Sequence, residues 1–398
     1  MKTKFQILNA FLIVALFLLL GGGYFYTYGY IALLAFIGLS FALYPQEAVA
    51  SWFGRTSLCL WGIVLYVFLT SSFSITTSAS LFTRLSPILI YILYKNILIR
   101  HPEFTPIIKR TIYASVAILL FYCYKSFVFI QENPAGLREL ISNEKDDSVI
   151  IGGGFALPYA LCIFIPFVVD RFKLFFVGKL FDTVLFSTLA ITGSLLILYS
   201  LYMTALIILF AGCFWAIARE LPRAKKVIVI TLAVSSFYAG YNLIQPMLEY
   251  VSGEETRVLV NRFEEIDSML QGNEVSESED FYSRIQLSIS SINTFLENPI
   301  GGVGWMANYD SFKMEQIGVG QHAQWFDIFA IYGFFSIFII LLVRRANQDI
   351  YTNHKNNISN LLFMIVGFLN PILLFTIVFV AYFMAPLINI CWINQNHA

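Results

Sequence analysis

Apolar runs long enough to cross a lipid bilayer recur along almost the whole chain. A transmembrane helix needs about 20 mainly apolar residues, and only helices or closed barrels satisfy their backbone polar groups in hydrocarbon. The runs are continuous instead of alternating in polarity, which favours helices. Hydrophobic residues fill 58% of the 398 positions and charged residues only 13%, a composition that excludes a soluble domain of this length. We therefore expect an all-α, polytopic integral membrane protein.

The distribution of apolar residues predicts about twelve transmembrane helices. Asn370 and Pro371 interrupt the last apolar run, so we divide that run into two spans. The first span follows Lys2 and Lys4, has no small-residue cleavage pattern and leads directly into a second span, so we expect it to be an uncleaved helix. The predicted spans are 5–22, 28–44, 58–74, 85–99, 111–130, 149–169, 181–198, 201–218, 227–245, 323–343, 358–370 and 371–391.

The basic residues predict that both termini face the cytoplasm. With this orientation 17 of the 25 Lys and Arg residues lie on the cytoplasmic side, as the positive-inside rule requires. The loops 131–148 and 246–321 are then extracytoplasmic, and both are rich in Glu and Asp. We expect an N-terminal bundle over 1–245, a large extracytoplasmic helical loop over 246–322 and C-terminal helices over 323–398.

The cysteines give no sign of a disulfide or metal framework. They are odd in number, lack CxxC spacing and all fall in predicted spans, so we interpret them as small packing residues. They are Cys59, Cys123, Cys162, Cys213 and Cys391.

The large loop contains two predicted amphipathic helices. In the first, "EETRVLVNRFEEIDSML", Arg262 falls within the apolar arc. It either extends its guanidinium to the membrane surface or is aimed at a lipid-linked phosphate. The second helix, "FYSRIQLSISSINTFLEN", follows Asp280 as a plausible N-cap. Its apolar face is formed by Phe281, Ile285, Ile289, Ile292 and Leu296.

A polar flank on the second helix carries Arg284, Ser288 and Ser291 at positions i, i+4 and i+7. This strip either faces solvent or leaves the arginine fork room to reach a ligand. The helix ends at Asn298-Pro299, and the glycines of "IGGVG" follow, which allow a sharp turn or a close approach to a ligand. The lack of a following Lys-Ser/Thr pair and of a preceding strand argues against a nucleotide-binding loop.

His322 is the one histidine that the predicted topology places on the outer face. Two interpretations are open. It precedes Trp325 at the start of a span, which is typical of an interfacial anchor. An imidazole is also the usual general base. Outward-facing arginines nearby favour the second interpretation, since arginine is the usual partner of pyrophosphate. Asp327 lies five residues further on, where it would either orient the histidine or cap the helix.

These residues resemble the O-antigen polymerase and ligase superfamily. In that family an Arg-containing helix leads to an N-P-[IL]-x-G-x-G turn, followed by His-x2-[YW]-[LF] and a glycine about eleven residues beyond the histidine. The family's Ser-Arg pair before the large loop is missing, because Leu201 follows Ser200 here, so the role of that arginine would fall to Arg257, Arg262, Arg138 or Arg84. The motif positions are filled by Arg284, Asn298, Pro299, Gly302, Gly304, His322, Trp325, Phe326 and Gly333.

The resemblance implies a glycosyltransferase at the outer face of the bacterial inner membrane, acting on undecaprenyl-pyrophosphate-linked oligosaccharides. Arg284 and His322 would then be catalytic, with Arg262, Arg257, Arg138, Gly302, Gly304 and Asp327 in substrate binding. The sequence has no metal-ligand cluster, DxD string or paired carboxylates of glycosidase type, so we expect inverting transfer without a metal or other cofactor. Expected partners are the bilayer, the lipid-linked donor and acceptor, a flippase and a chain-length regulator, but no nucleic acid.

Three functions are compatible with these features. The first is a polymerase of O-antigen or capsular repeat units, which we favour because loose sequences rich in Phe and Tyr typify polymerases within the family. The second is a ligase that transfers finished glycan to lipopolysaccharide core or to protein. The third is a flippase or other carrier of lipid-linked sugar, which the long extracytoplasmic loop and the scarcity of charge within the spans disfavour.

Overall fold

The computed structural model describes most of the N-terminal two hundred residues and several segments of the C-terminal half. The described residues are 2–20, 24–71, 73–132, 156–177, 180–200, 202–219, 221–222, 280–304, 317–320, 323–351, 358–370, 372 and 377–393. Every regular element within these ranges is a helix. The predicted all-α class is therefore confirmed for the described residues.

Within α1 to α6 and within α7 to α10 the helices follow one another with short connections, as in the hairpins that the apolar runs predict. They are α1 (Lys2–Leu20), α2 (Tyr24–Leu43), α3 (Pro45–Trp52), α4 (Arg55–Thr70), α5 (Ile75–Arg100), α6 (Thr105–Glu132), α7 (Ala156–Asp170), α8 (Phe172–Val177), α9 (Leu180–Tyr199), α10 (Met203–Arg219), α11 (Asp280–Glu297), α12 (Gln324–Tyr332), α13 (Ser336–Tyr351), α14 (Ile358–Leu369), α15 (Ile377–Phe379) and α16 (Ala385–Ile393). A 3₁₀ turn, Gly333–Phe335, joins α12 to α13, and a π-helical turn, Val380–Met384, joins α15 to α16.

Five stretches of helix in the described ranges are long and apolar enough to cross a membrane, or six if the bent pair α3 and α4 is one span. Five shorter apolar helices accompany them. The chain thus has the character of a helical membrane protein. The long stretches are Lys2–Leu19, Thr77–Arg100, Pro102–Gln131, Leu180–Tyr199 and Gln324–Ala346.

The predicted boundaries differ most in the region of α3 to α5. The pattern predicts one span over 58–74, whereas α3 and α4 are two helices that meet at an angle of 56°. The next span was expected to begin at residue 85, but α5 begins at Ile75, with Ser74 accepting a hydrogen bond from the Thr77 amide. Hydropathy misses this first part of α5 because it contains Arg84 and several hydroxyl side chains. The hydroxyls bond back along the chain, Ser78 to Ser74 and Thr83 to Ala79.

The centre of the bundle is α7. Thirteen consecutive residues of this helix, from Ala156 to Val168, are buried, so other parts of the protein, and not lipid, surround it. Buried polar contacts connect other helices. Asp182 of α9, for example, accepts hydrogen bonds from Tyr113 of α6 at 2.6 Å and from Trp392 of α16 at 3.0 Å.

Helices α4 and α13 pack side by side in opposite directions. At one end, Arg345 donates a hydrogen bond to the Arg55 carbonyl at 2.5 Å. Towards the other end, the Tyr66 ring stacks on Phe335 with ring centroids 4.7 Å apart. Tyr66 also contacts the glycine turn that follows α11. The distance along α4 from Arg55 to Tyr66 therefore gives the distance of that turn from the end of the helix pair.

Candidate active site

Helix α11, which carries the predicted Arg284, packs on the protein through its hydroxyl side chains. Ser291 is completely buried and Thr294 is nearly so. The solvent-facing alternative for the polar flank is therefore wrong at Ser291. The apolar side chains of the same helix, among them Ile289 and Leu296, are exposed instead. Arg284 lies on the same helix, seven residues before Ser291.

The segment 317–320 lies against this hydroxyl face. Thr294 and Ser290 both donate to the Gly318 carbonyl, at 2.8 and 3.1 Å, and the Gly320 amide donates to Ser291 Oγ at 2.9 Å. Gly318 has a φ of +83°, and a Cβ on Gly320 would lie only 2.2 Å from the Leu287 carbonyl oxygen. Side chains are excluded from both positions, so glycines allow the backbone to approach α11 directly.

Asp327 joins α12 to the same serine. Ser291 Oγ donates to Asp327 Oδ1 at 2.7 Å, and only 3% of Asp327 is exposed. The carboxylate lies in the first turn of α12, where the helix dipole favours a negative charge. The N-cap of this helix is Ala323, without a side-chain hydrogen bond. The contact of Asp327 with Ser291 connects two helices.

The predicted glycine turn after Pro299 is connected by backbone hydrogen bonds to the end of α12. The Val303 amide donates to Ala330 at 2.9 Å, the Gly304 amide to Ile331 at 3.0 Å, and the Phe334 amide to Pro299 at 2.8 Å. Tyr66 of α4 donates to the Gly301 carbonyl from the other side. Gly302, Gly304 and Gly333 all have positive φ, at +62°, +79° and +53°.

Two motif glycines that are 31 positions apart in sequence meet at this junction. A Cβ on Gly302 would lie 2.4 Å from the Ile331 carbonyl oxygen, and a Cβ on Gly333 would lie 2.5 Å from the Gly302 amide nitrogen. The close approach expected at this turn is thus made to another part of the backbone. The predicted role of Gly302 and Gly304 in substrate binding stays a prediction.

Helices α11 and α12 run in the same direction and in a defined register. Ser291 bonds Asp327, the Phe295 and Phe329 rings lie 5.4 Å apart, and Pro299 bonds Phe334. Residue numbers therefore increase in the same direction along both helices. At 1.5 Å per residue, Arg284 lies about 10 Å before Ser291 and Ala323 about 6 Å before Asp327, at the same end of the pair.

Several predicted site residues lie outside the described residues. These are His322, Arg138, Arg257 and Arg262, together with the side chain of Arg284. Gly320 and Ala323, which flank His322 by two positions and one, are described and buried.

The motif position Trp325 makes a contact that the sequence did not indicate. Trp325 is buried and donates to the Met364 carbonyl at 2.8 Å, which holds α12 on α14. Arg84 of α5 is half-buried, and its Nε has no hydrogen-bond partner among the residues that the structure describes. Arg84 is one of the four arginines that could take the role of the family's missing arginine, and the burial of its Nε is information that only the structure supplies.

The described ranges contain no group of three or more His, Cys, Asp or Glu side chains that could hold a metal ion. We therefore assign none of these residues as a metal ligand. Comparison of the chain with protein-family models and with curated proteins gives no match. The resemblance described above consequently rests on the motif residues alone.

Proposed function

We propose that the protein is a membrane glycosyltransferase that polymerises lipid-linked repeat units of O-antigen or capsular polysaccharide. The observation that carries this proposal is the shared register of α11 and α12. Ser291 and Asp327 fix the two helices so that Arg284 lies at the end of the pair where the chain passes from Gly320 to Ala323. In sequence His322 lies between Gly320 and Ala323 but outside the described residues, and we propose that it joins Arg284 at this end of the helix pair.

This arrangement suits transfer from a polyprenyl pyrophosphate. Arg284 would bind the pyrophosphate, whose negative charge grows as the bond to the anomeric carbon breaks. His322 would accept the proton of the acceptor hydroxyl while that oxygen forms its bond to the anomeric carbon. The bond between the anomeric carbon and the phosphate oxygen breaks, polyprenyl pyrophosphate leaves with the electron pair, and the anomeric configuration inverts. Arg262, Arg257 and Arg138 are proposed as further contacts to the anionic lipid.

The proposed topology has twelve spans with both termini in the cytoplasm. The five long stretches, the bent pair α3 and α4 and the five shorter apolar helices supply eleven. The predicted span 227–245, outside the described residues, would be the twelfth. The site then faces the extracytoplasmic side of the bacterial inner membrane. There a flippase would deliver the lipid-linked repeat units, and a chain-length regulator would be a further partner.

The test is an assay of purified protein in proteoliposomes with lipid-linked single repeat units as the sole substrate. A ladder of products that grows by one repeat mass supports the proposal, and the His322→Ala variant should not produce it. His354→Ala is the matched control, because the proposed topology puts that histidine on the cytoplasmic side. Transfer of preformed polymer to a lipid acceptor without any ladder would instead identify a ligase, and transport without covalent products would identify a carrier.

A further inference from the structure

Helix α11 exposes a continuous apolar strip that no described part of the chain covers. Ile285, Ile289, Ile292 and Leu296 recur at helical spacing and are 38% to 67% exposed. Ile300 extends the strip into the glycine turn and is 78% exposed. In the neighbouring 3₁₀ turn and on α13, the side chains of Phe334, Phe335, Ile337 and Ile340 are exposed in the same way. The strip is therefore continuous with the outer surface of a stretch that could cross the membrane.

The glycine turn lies deep along this stretch. Gly333, which abuts the turn, comes nine residues after Gln324 in the candidate span Gln324–Ala346. At 1.5 Å per residue this is about 14 Å from the start of the span. A hydrocarbon core is about 30 Å thick, so the turn reaches roughly the middle of the bilayer if this stretch spans it.

Helix α4 gives an independent estimate from the opposite end. Arg55 and Arg345 lie together at one end of the α4 and α13 pair. Tyr66, which donates to Gly301 in the turn, is eleven residues further along α4. The turn is therefore about 16 Å from the level of the two arginines. Both distances indicate the same depth.

An irregular backbone at that depth is permissible only where its polar groups are satisfied by protein or by water. The amides of Gly302, Val303 and Gly304 donate to the carbonyls of Asn298, Ala330 and Ile331. The Gly301 carbonyl accepts from Tyr66. The turn thus meets the condition for a segment that enters a membrane and turns within it.

A second exposed surface of α11 is polar. Gln286, Asn293 and Glu297 are all exposed, and at 100° per residue they lie about 80° to 120° from Ile285 around the helix. Polar and ionisable side chains at membrane depth face water-filled cavities. This flank therefore requires water on one side of the helix, while the isoleucine strip requires an apolar neighbour on the other.

We propose that α11 and the glycine turn form a re-entrant membrane segment. The isoleucine strip contacts lipid chains directly, and the flank of Gln286, Asn293 and Glu297 lines a water-filled vestibule that opens to the outer face. The helix would then separate the bilayer from the vestibule. A substrate with a lipid tail and a hydrophilic head could place its tail on the lipid side and its head on the water side. This placement does not depend on glycosyl transfer, because it follows from exposure, depth and backbone hydrogen bonds.

The experiment measures the surroundings of single nitroxide labels in protein reconstituted into liposomes. Cysteine replaces one residue at a time in a variant without the five native cysteines, and collision with oxygen is compared with collision with a water-soluble nickel chelate. The strip positions are Ile285, Ile289, Ile292 and Leu296, and the flank positions are Gln286, Asn293 and Glu297. Ile340 is the lipid-facing control on α13, and Glu103, an exposed residue between α5 and α6, is the aqueous control.

We expect oxygen access with little nickel access at the strip, and a depth that increases steadily from Ile285 to Leu296. We expect nickel access at the flank. Nickel access at all positions would place α11 outside the membrane and overturn the proposal. A constant depth along the strip would mean a helix flat on the surface, and low access to both reagents would mean a protein cover, so either result would also overturn it.

A second measurement avoids the cysteine-free background. A photocrosslinking amino acid at Leu296 of the otherwise unchanged chain should form adducts with the mass of a phospholipid in liposomes. The same residue at Asn293 should form few lipid adducts. Equal lipid crosslinking at both positions, or none at Leu296, would contradict the proposed division between lipid and water.

Discussion

Gly302 and Gly333 hold the glycine turn and the end of α12 in direct backbone contact. A Cβ on Gly333 would lie 2.5 Å from the Gly302 nitrogen, and both glycines have positive φ. We therefore expect Gly302→Ala and Gly333→Ala each to destabilise the protein by at least about 1–3 kcal/mol, the usual cost of strained backbone alone. Thermal unfolding in detergent, followed by the loss of the monodisperse chromatographic peak, measures this effect.

Gly301→Ala is the matched control for that prediction. Gly301 lies in the same turn, but a Cβ at this position would have nothing within 4 Å, and its φ is not in the positive range. We expect its unfolding temperature to stay close to that of the parent protein. Equal loss of stability in all three variants would mean that the contact between Gly302 and Gly333 is not the reason these positions are glycine.

The bridge between Ser291 and Asp327 should be required for stability more than for chemistry. Ser291→Ala removes a donor from a buried carboxylate and an acceptor from the Gly320 amide, for which a loss of about 1–3 kcal/mol is typical. Asp327→Asn keeps an oxygen that can accept from Ser291, so we expect normal unfolding and continued polymer formation. The measurement is thermal unfolding together with the product ladder. Ser290→Ala is the control, because it removes only one longer hydrogen bond to the Gly318 carbonyl and should destabilise the protein less.

Asp327→Asn also tests one of the two roles that the sequence left open, the orientation of His322. If the carboxylate orients His322, the folded variant should still lose most of its turnover. That outcome would contradict the view of Asp327 as a structural connection, and it would leave the Ser291→Ala prediction unaffected.

The sequence predicted the helical class and the ends of the arginine helix because these depend on local signals. The length of the apolar runs predicts the spans. The Asn298-Pro299 pair predicts the end of α11, whose last residue is Glu297. It could not predict which face of α11 packs inward. Amphipathic patterns identify the apolar face, but in a bilayer that face has lipid as an alternative neighbour, so Ser291 and Thr294 pack on protein while Leu296 is exposed.

The contact between Gly302 and Gly333 also lies beyond sequence reasoning. The motif shows that both are glycine, but their meeting depends on the parallel register of α11 and α12, which long-range contacts determine. Position 302 could equally have approached a ligand, since a glycine is required in either case. Only the structure shows that Gly302 approaches the backbone at Ile331 and Gly333.

Arg284 and His322 should each be essential for polymer formation without being required for the fold. Loss of a general base typically costs about 10²–10⁴-fold in rate, so His322→Ala should abolish detectable chains beyond one repeat unit. Arg284→Ala should do the same, and Arg284→Lys should rescue it only weakly, because an ammonium cannot form the paired contacts of a guanidinium with pyrophosphate. The readout is chain length on cells and on purified protein, normalised to membrane level.

A cell that lacks the protein should display surface glycan of one repeat unit only. If full-length polymer instead accumulates on undecaprenyl pyrophosphate, the ligase function is correct and polymerisation is not. Long chains in both the His322→Ala and Arg284→Ala variants would remove the proposed site, whichever function the whole protein has.

Chelation separates the proposed mechanism from a metal-assisted one. In the proposed reaction arginines stabilise the leaving pyrophosphate and His322 accepts the proton, so no step requires a divalent cation. We expect EDTA to leave the initial rate of the purified enzyme in proteoliposomes unchanged, and added magnesium to have no effect on it. The assay must use purified protein, because EDTA alters the outer envelope of intact cells. A rate that EDTA abolishes and magnesium restores would show that a metal, and not Arg284 alone, neutralises the pyrophosphate.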